Sequence, residues 1–401
     1  MSHDSSAVDP LGSLESLVPW ARTDRERAIL SAAMAYSSRG EAAASMGWTP
    51  SAFRRALSEL RMRAARRGWL PTAPREDVPE GFHVLGTTSL YKAGSDAPAL
   101  RWVKTRADEE SKYRLLMEAM TELALPFRGL SEVSAAPVEC RDDLLVVYPL
   151  GDPHLGMYAW SEETGANFDL ETAEAGLVSA VDHLVGLVPR ASSALIISLG
   201  DFYHADSVEN RTRASGNVLD VDTRWGKVLA AGIRTMRRCI DVALVRHASV
   251  RVICEIGNHD DHSAVMLALC LAEYYANQSR VSIDTSPCVF HYHEFGKTLI
   301  GVTHGHRTKP ANLPIIMAKD CREAWGRTHY RYWYTGHVHQ DSVREYGDTL
   351  VETFRTLAPR DAWGHGQGYR SGQDLKADVI HAEYGRINRH VVGIRQIWDG
   401  V

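Results

Sequence analysis

The chain has 401 residues, with 45 Lys and Arg against 50 Asp and Glu, for a formal net charge of -5. Hydrophobic residues make up 44% and charged residues 24%, which excludes a disordered or fibrous chain and predicts a globular protein of two or three domains. The total conceals a segregation: residues 21–75 hold eleven Arg and four acids, a balance of +7, so the remainder carries -12 and a nucleic-acid partner stays open.

Residues 1–20, rich in Ser, Asp and Pro, read as a loose tail without the basic start and apolar stretch of a signal peptide. No apolar run approaches the ~20 residues of a membrane span, so no membrane partner is expected. Six scattered cysteines without a C-x-x-C pair argue against a disulfide framework and for a reducing cytoplasm.

Residues 21–75 carry helix signals. Thr23-Asp24-Arg25-Glu26 reads as a capping box opening a helix to about Tyr36; Glu41–Met46 reads as a short helix stopped by Gly47. Thr49-Pro50 opens a third helix ending at Gly68. A small residue, a turn glycine and core contacts at Ala43, Gly47, Phe53 and Ala56 predict a helix-turn-helix domain. Its third helix would present Ser51, Arg54, Arg55, Arg61, Arg63, Arg66 and Arg67 to DNA bases and phosphates. A solvated Arg face or a protein-binding module is the competing reading. Residues 76–141 predict a hairpin wing, with strands over Phe82–Leu90 and Leu100–Val103, and a helical linker with an amphipathic helix over 106–125.

Residues 142–401 alternate short apolar runs with helical stretches, the pattern of an α/β domain. The runs are Leu144–Leu150, Ala194–Leu199, Val250–Ile256, Thr298–Thr303 and Tyr332–Thr335; the helices are Leu170–Val188, Val218–Arg246, Ala264–Asn277 and Leu313–Arg322. Each run ends in ligand-type residues. In order these are Gly151-Asp152-Pro153-His154-Leu155-Gly156, Gly200-Asp201-Phe202-Tyr203-His204, Gly257-Asn258-His259-Asp260, His304-Gly305-His306 and Gly336-His337-Val338-His339. One such pair is weak, because a lone His beside a strand is more often structural. Five at strand ends predict a metal site in the crevice beyond the strands' carboxyl ends. Nitrogen and oxygen donors without thiolate suit Mn, Fe or Zn.

These motifs, in this order over about residues 145–345, resemble the calcineurin-like metallophosphoesterase superfamily. The D-P-H-L-G and G-D-F-Y-H versions are similar to Mre11/SbcD nucleases, and the N-terminal helix-turn-helix with Trp102-Val103-Lys104-Thr105 resembles bacteriophage-encoded members. The resemblance implies a β-sandwich flanked by helices. It also implies two divalent metal ions, Mn2+ first with Fe2+ or Zn2+ as alternatives, in the cytoplasm of a bacterium or a phage-infected host. Asp152, His154 and His339 would hold one ion, Asn258, His304 and His337 the other, and Asp201 both. His259 would serve the leaving group. His204, Asp260 and His306 would stand behind the ligands or touch substrate. Such a pair of ions clamps phosphoryl oxygens and activates a water.

The implied activity is a phosphodiesterase acting as a DNA nuclease. A small- or cyclic-nucleotide phosphodiesterase is the alternative, and a DNA-binding regulator with an inactive core is another. A phosphoprotein phosphatase fits less well, because Ala205-Asp206 follows His204 where those enzymes carry an Arg. A homodimer is compatible with both nuclease and helix-turn-helix readings. Asp206, Arg211 and Arg213 could face substrate. Closing strands are expected over Leu350–Thr356, Val379–Tyr384 and Val391–Trp398. The loop Arg360–Gln373, with Trp363, His365, Tyr369 and Arg370, would be either a surface turn or a lid contacting a nucleic-acid strand.

Overall fold

The computed structural model describes residues 14–36, 38–66, 82–91, 98–107, 109–212 and 215–399. The chain divides into two compact units, Met1–Ala119 and Met120–Val401.

The first unit holds helices α1 (Asp24–Ala35), α2 (Arg39–Ser45) and α3 (Pro50–Arg66). The predicted capping box opens α1: Thr23 Oγ1 accepts from Glu26 N while the Glu26 carboxylate accepts from Thr23 N. Gly47 turns the chain at φ 69°, which L residues with a Cβ rarely adopt, so α2 and α3 close on one another. Leu17, Leu30, Ala43, Phe53, Leu57 and Leu60 form the core beneath them. A hairpin follows, β1 (Phe82–Tyr91) paired antiparallel with β2 (Pro98–Ala107), longer on its second arm than the sequence suggests. Helix α4 (Glu109–Ala124) runs across the division between the units.

The second unit is a two-sheet sandwich. Its elements, in order, are β3 (Arg141–Leu150), α5 (Ser161–Thr164), α6 (Leu170–Leu187), β4 (Ala191–Ser198), α7 (Trp225–Arg246), β5 (Ser249–Cys254), α8 (Ser263–Tyr274) and β6 (Val281–Asp284). Then come β7 (His291–Phe295), β8 (Thr298–Val302), α9 (Leu313–Asp320), α10 (Arg322–Arg327), β9 (Tyr330–Thr335), β10 (Ser342–Tyr346) and β11 (Thr349–Thr353). The chain closes with α11 (Ala362–Gly366), β12 (Asp374–His381), β13 (Gly385–Gly393) and α12 (Ile394–Asp399). One sheet has the order β13-β12-β3-β4-β5-β6, the other β10-β11-β9-β8-β7. Strands β3 to β6 run parallel, as do β8, β9 and β11; the flanking strands are antiparallel.

Side-chain alternation explains the layers. Leu145 and Val147 of β3 face the second sheet with Leu195, Ile197, Ile300, Tyr334 and Phe354. Leu144, Val146 and Tyr148 point the other way, into a core shared with α6, α7 and α8. On the far side, Leu313 and Met317 of α9 cover Leu299, Trp333 and Val351. The domain is therefore the expected α/β sandwich flanked by helices. Two expectations need correction. The predicted helix over Val218–Arg246 begins only at Trp225, because Val218 and Val221 bridge to Arg211 and Met157 instead. The expected strand Val391–Trp398 ends at Gly393 and turns into α12, where Trp398 lies against Gly176 of α6. Among the described residues, no helix is long and apolar enough to cross a membrane.

Candidate metal centre

All five predicted motifs follow the carboxyl ends of parallel strands: β3, β4 and β5 in one sheet, β8 and β9 in the other. The centre thus sits where both sheets open, with ligand-type residues supplied from either side. Backbone geometry singles the same residues out. Asp152, His154, Asp201, His337 and His339 are five of the seven non-glycine residues with positive φ among those described. That region is sparsely populated for residues with a Cβ, and it turns consecutive side chains into one crevice.

Two groups form. In the first, His339 Nε2 lies 2.8 Å from Asp152 Oδ2 and 3.1 Å from His154 Nε2. In the second, His304 Nε2 lies 3.2 Å from Asp201 Oδ2 and 3.0 Å from Asn258 Oδ1, with His337 also within reach. The residues that the resemblance would assign to two ions are thus brought together in two groups, each built around a buried carboxylate. The donor set fits a cation. Asp152 Oδ1 is buried without a hydrogen-bond partner, and ring nitrogens meet lone pair to lone pair unless a proton or cation lies between them. A third group, His154, His204 and His259, lies alongside.

Glycines make room for the carboxylates. A Cβ at Gly336 would stand 2.0 Å from Asp152 Oδ1, and one at Gly257 would stand 1.9 Å from Asp201 Oδ1. The carboxylates are braced in turn. Asp152 Oδ2 accepts from His337 N, and its main-chain carbonyl accepts from Thr356 Oγ1. Asp201 Oδ1 accepts from His259 N. Asp260, expected behind the ligands or at substrate, is fully buried and accepts from four main-chain N–H groups, those of Asp201, Phe202, Tyr203 and Gly257. It shapes the Asp201 turn and does not reach substrate. The sequence offers only a faint signal for this, an Asp closing a Gly-rich turn.

His204 lies against His154, its Nδ1 3.2 Å from His154 Nδ1. Its carbonyl accepts from His259 Nδ1, 2.8 Å away, which fixes that ring with Nε2 as its remaining nitrogen. His306, half-buried, packs beside His304 and accepts from Arg307 Nε. Asp206 and Arg211, which could face substrate, both have protein partners. Asp206 caps the start of α8 through His262 N and Ser263 N, and Arg211 bonds to Gly216 O within its own loop. Arg213 lies outside the described residues. The Arg360–Gln373 segment contains α11, capped by Asp361, with Trp363 edge-on to Tyr369 and both exposed.

Electrostatics sort the rings. Burial disfavours charge and holds His154 well below its ordinary range, His204 at about 3 and His306 at about 4. At His304 burial opposes charge too, yet the Asp201 and Asp152 carboxylates prevail and raise it to about 10. His339 is raised likewise against burial, chiefly by Asp152. Burial works against the Asp201 carboxylate, but His304, His259 and His154 hold its pKa well below the usual range. Asp201 therefore stays ionised and draws positive charge to the centre, the demand that a divalent cation meets.

On the first unit, Ser51, Arg54 and Arg55 are exposed near the start of α3. Arg63 is paired with Glu26 of α1 at 2.6 Å, and Arg61 is half-buried. Arg66 closes α3, and Arg67 lies outside the described residues. Of the named cations whose burial is described, Arg54 and Arg55 are exposed in the leading half of α3, and Arg63 is exposed but paired in the trailing half.

No protein-family model matches the chain, and no curated protein does. Similar solved structures include a predicted phosphoesterase from Streptococcus pneumoniae, 14% identical at TM-score 0.28, covering 63% of this chain and 90% of that one. Vps29 from Entamoeba histolytica in complex with zinc is 13% identical at TM-score 0.26, covering 62% and 99%. An archaeal phosphodiesterase is 13% identical at TM-score 0.31, again covering 62% and 99%.

Proposed function

We propose that the chain is a two-metal phosphodiesterase that cleaves DNA, gripping duplex through its N-terminal helices. The observation that carries this reading is the pair of carboxylate–imidazole groups around Asp152 and Asp201, held by residues at strained φ. Asp152, His154 and His339 would hold one ion, Asn258, His304 and His337 the other, with Asp201 between them. Manganese is the metal that the resemblance puts first, with iron or zinc as alternatives, since a nitrogen and oxygen donor set accepts all three. Bound there, the ions supply Lewis-acid neutralisation of a phosphate and a water of lowered pKa.

The chain's own groups do the rest. Asp201 would offset the charge of the bound cations, and neutral Asn258 would complete a donor set without adding charge. His259 is anchored through Nδ1–H to the His204 carbonyl, so an imidazolium there presents Nε2–H to a departing oxygen. DNA as substrate is supported by the D-P-H-L-G and G-D-F-Y-H motif details and by Ser51, Arg54 and Arg55 at the leading half of α3, where a recognition helix contacts bases.

The test is a panel with Mn2+: linear duplex, single-stranded and circular DNA, cyclic nucleotides and a generic phosphodiester. DNA cleavage is expected, with Asp201→Ala inactive. His259→Ala should keep its metal content while DNA turnover falls ~10²–10⁴-fold, the usual worth of a proton donor. Full activity in His259→Ala overturns that role, and cleavage confined to small nucleotides overturns DNA as substrate.

A further inference from the structure

The loop after β8 carries more than a ligand. From His304 it runs Gly305-His306-Arg307-Thr308-Lys309, and no acid occurs before Asp320. Gly305 turns it at φ 104°, and the His306 ring packs 5.1 Å from His304 and 6.0 Å from His337, centroid to centroid. Arg307 sits one ring further out. Its Nε donates to His306 Nε2 at 2.9 Å, and its Nη2 donates to Asp261 Oδ1 at 3.2 Å. Asp261 belongs to the other loop, the one carrying Asn258 and His259.

This arrangement fixes a guanidinium that is only partly used. An Arg side chain has five N–H donors, and two are committed here. The side chain is 48% exposed, so the Asp261 pair is solvated and weak. A planar fork held by two loops, with donors left over, suits a phosphate. It is bonded to the His306 ring, which packs in turn on His304 and His337, so the fork stands one residue removed from the ligand-type imidazoles.

We propose that Arg307, braced by His306 and Asp261, binds a phosphate flanking the scissile one, so that the site selects a polynucleotide over a mononucleotide or a small diester. This rests on the phosphodiesterase reading above. A single-phosphate substrate leaves the clamp empty, whereas a polymer fills it at every cut.

The experiment compares wild type, Arg307→Ala and Arg307→Lys, each with Mn2+, on a DNA oligonucleotide and on bis(p-nitrophenyl) phosphate. In Arg307→Ala the ratio of kcat/KM values, oligonucleotide over small diester, should fall roughly ten- to hundredfold, the worth of a charge-assisted hydrogen bond, chiefly through KM. Arg307→Lys should recover part of it. The salt slope of log KM for DNA should decrease by about 0.7–0.9 in the Ala variant, the share of one neutralised phosphate. An unchanged ratio, or equal losses on both substrates, overturns the clamp while leaving the phosphodiesterase standing. A wild type inactive on both substrates overturns the phosphodiesterase reading and the clamp with it.

Discussion

Asp152, His154, Asp201, His337 and His339 sit at φ between 42° and 69°, where a non-glycine residue costs of order 1–3 kcal/mol. That strain persists because the surroundings overdetermine it: Asp260 gathers four main-chain N–H groups at the Asp201 turn, and Thr356 and His337 tie down Asp152. Room for the carboxylates is equally tight. In Gly336→Ala the new methyl would fall 2.0 Å from Asp152 Oδ1, so the carboxylate must leave its place. We expect this variant to fold yet lose the Mn2+-induced rise in Tm, because a ligand that binds only the native state stabilises by about 2.7 kcal/mol at 100-fold excess over Kd. A rise equal to that of wild type in differential scanning fluorimetry would refute the steric argument.

Between the sheets, one buried group ties elements together. His291 on β7 has Nε2 3.1 Å from Glu255 Oε2, just beyond β5, and Nδ1 3.4 Å from Asp284 Oδ2 at the end of β6. Burial opposes its charge, but the two carboxylates raise its pKa from 6.5 to about 9. Asp284 is lowered from 3.8, first through its bond to His291. The imidazolium's share of stability is therefore complete below about pH 6.5 and fades as pH climbs through about 9, while that of Asp284 fades only on strong acidification. Urea midpoints of wild type and His291→Gln should differ more at pH 6 than at pH 10. A gap that widens at pH 10 would contradict this link. The strand pattern predicted β5 and β8 from their apolar runs, but short half-polar β6 and β7 left no such trace, since both rest on partners far along the chain.

For the whole molecule, the division of charge is the informative quantity. The net -5 is the sum of +7 over residues 21–75 and -12 elsewhere, and the exposed Arg54 and Arg55 belong to the positive part. If they contact phosphate, replacing both with Ala should weaken duplex binding across all sequences. The salt slope should then shrink by about 0.9 for each phosphate no longer neutralised. A fluorescence-anisotropy titration at several salt concentrations checks it, and an unaltered slope would remove these two residues from the DNA surface.

The sequence by itself determined the α/β class, the five strand-end motifs and the identity of their ligand-type residues. Those depend on local patterns: apolar runs of strand length, glycine at turns, and Asp, Asn and His in fixed short spacings. Only the tertiary structure decided which imidazole meets which carboxylate, that Asp260 serves the backbone, that Asp206 caps α8, and that Arg63 is spent on Glu26. It also decided that Arg307 is shared by two loops. The physical reason is range. A turn residue or a strand period is set by neighbours a few positions away, whereas a buried carboxylate takes whatever N–H groups folding brings to it. Here those partners lie as far apart as Asp152 and His337, in the loops that follow β3 and β9 of opposite sheets.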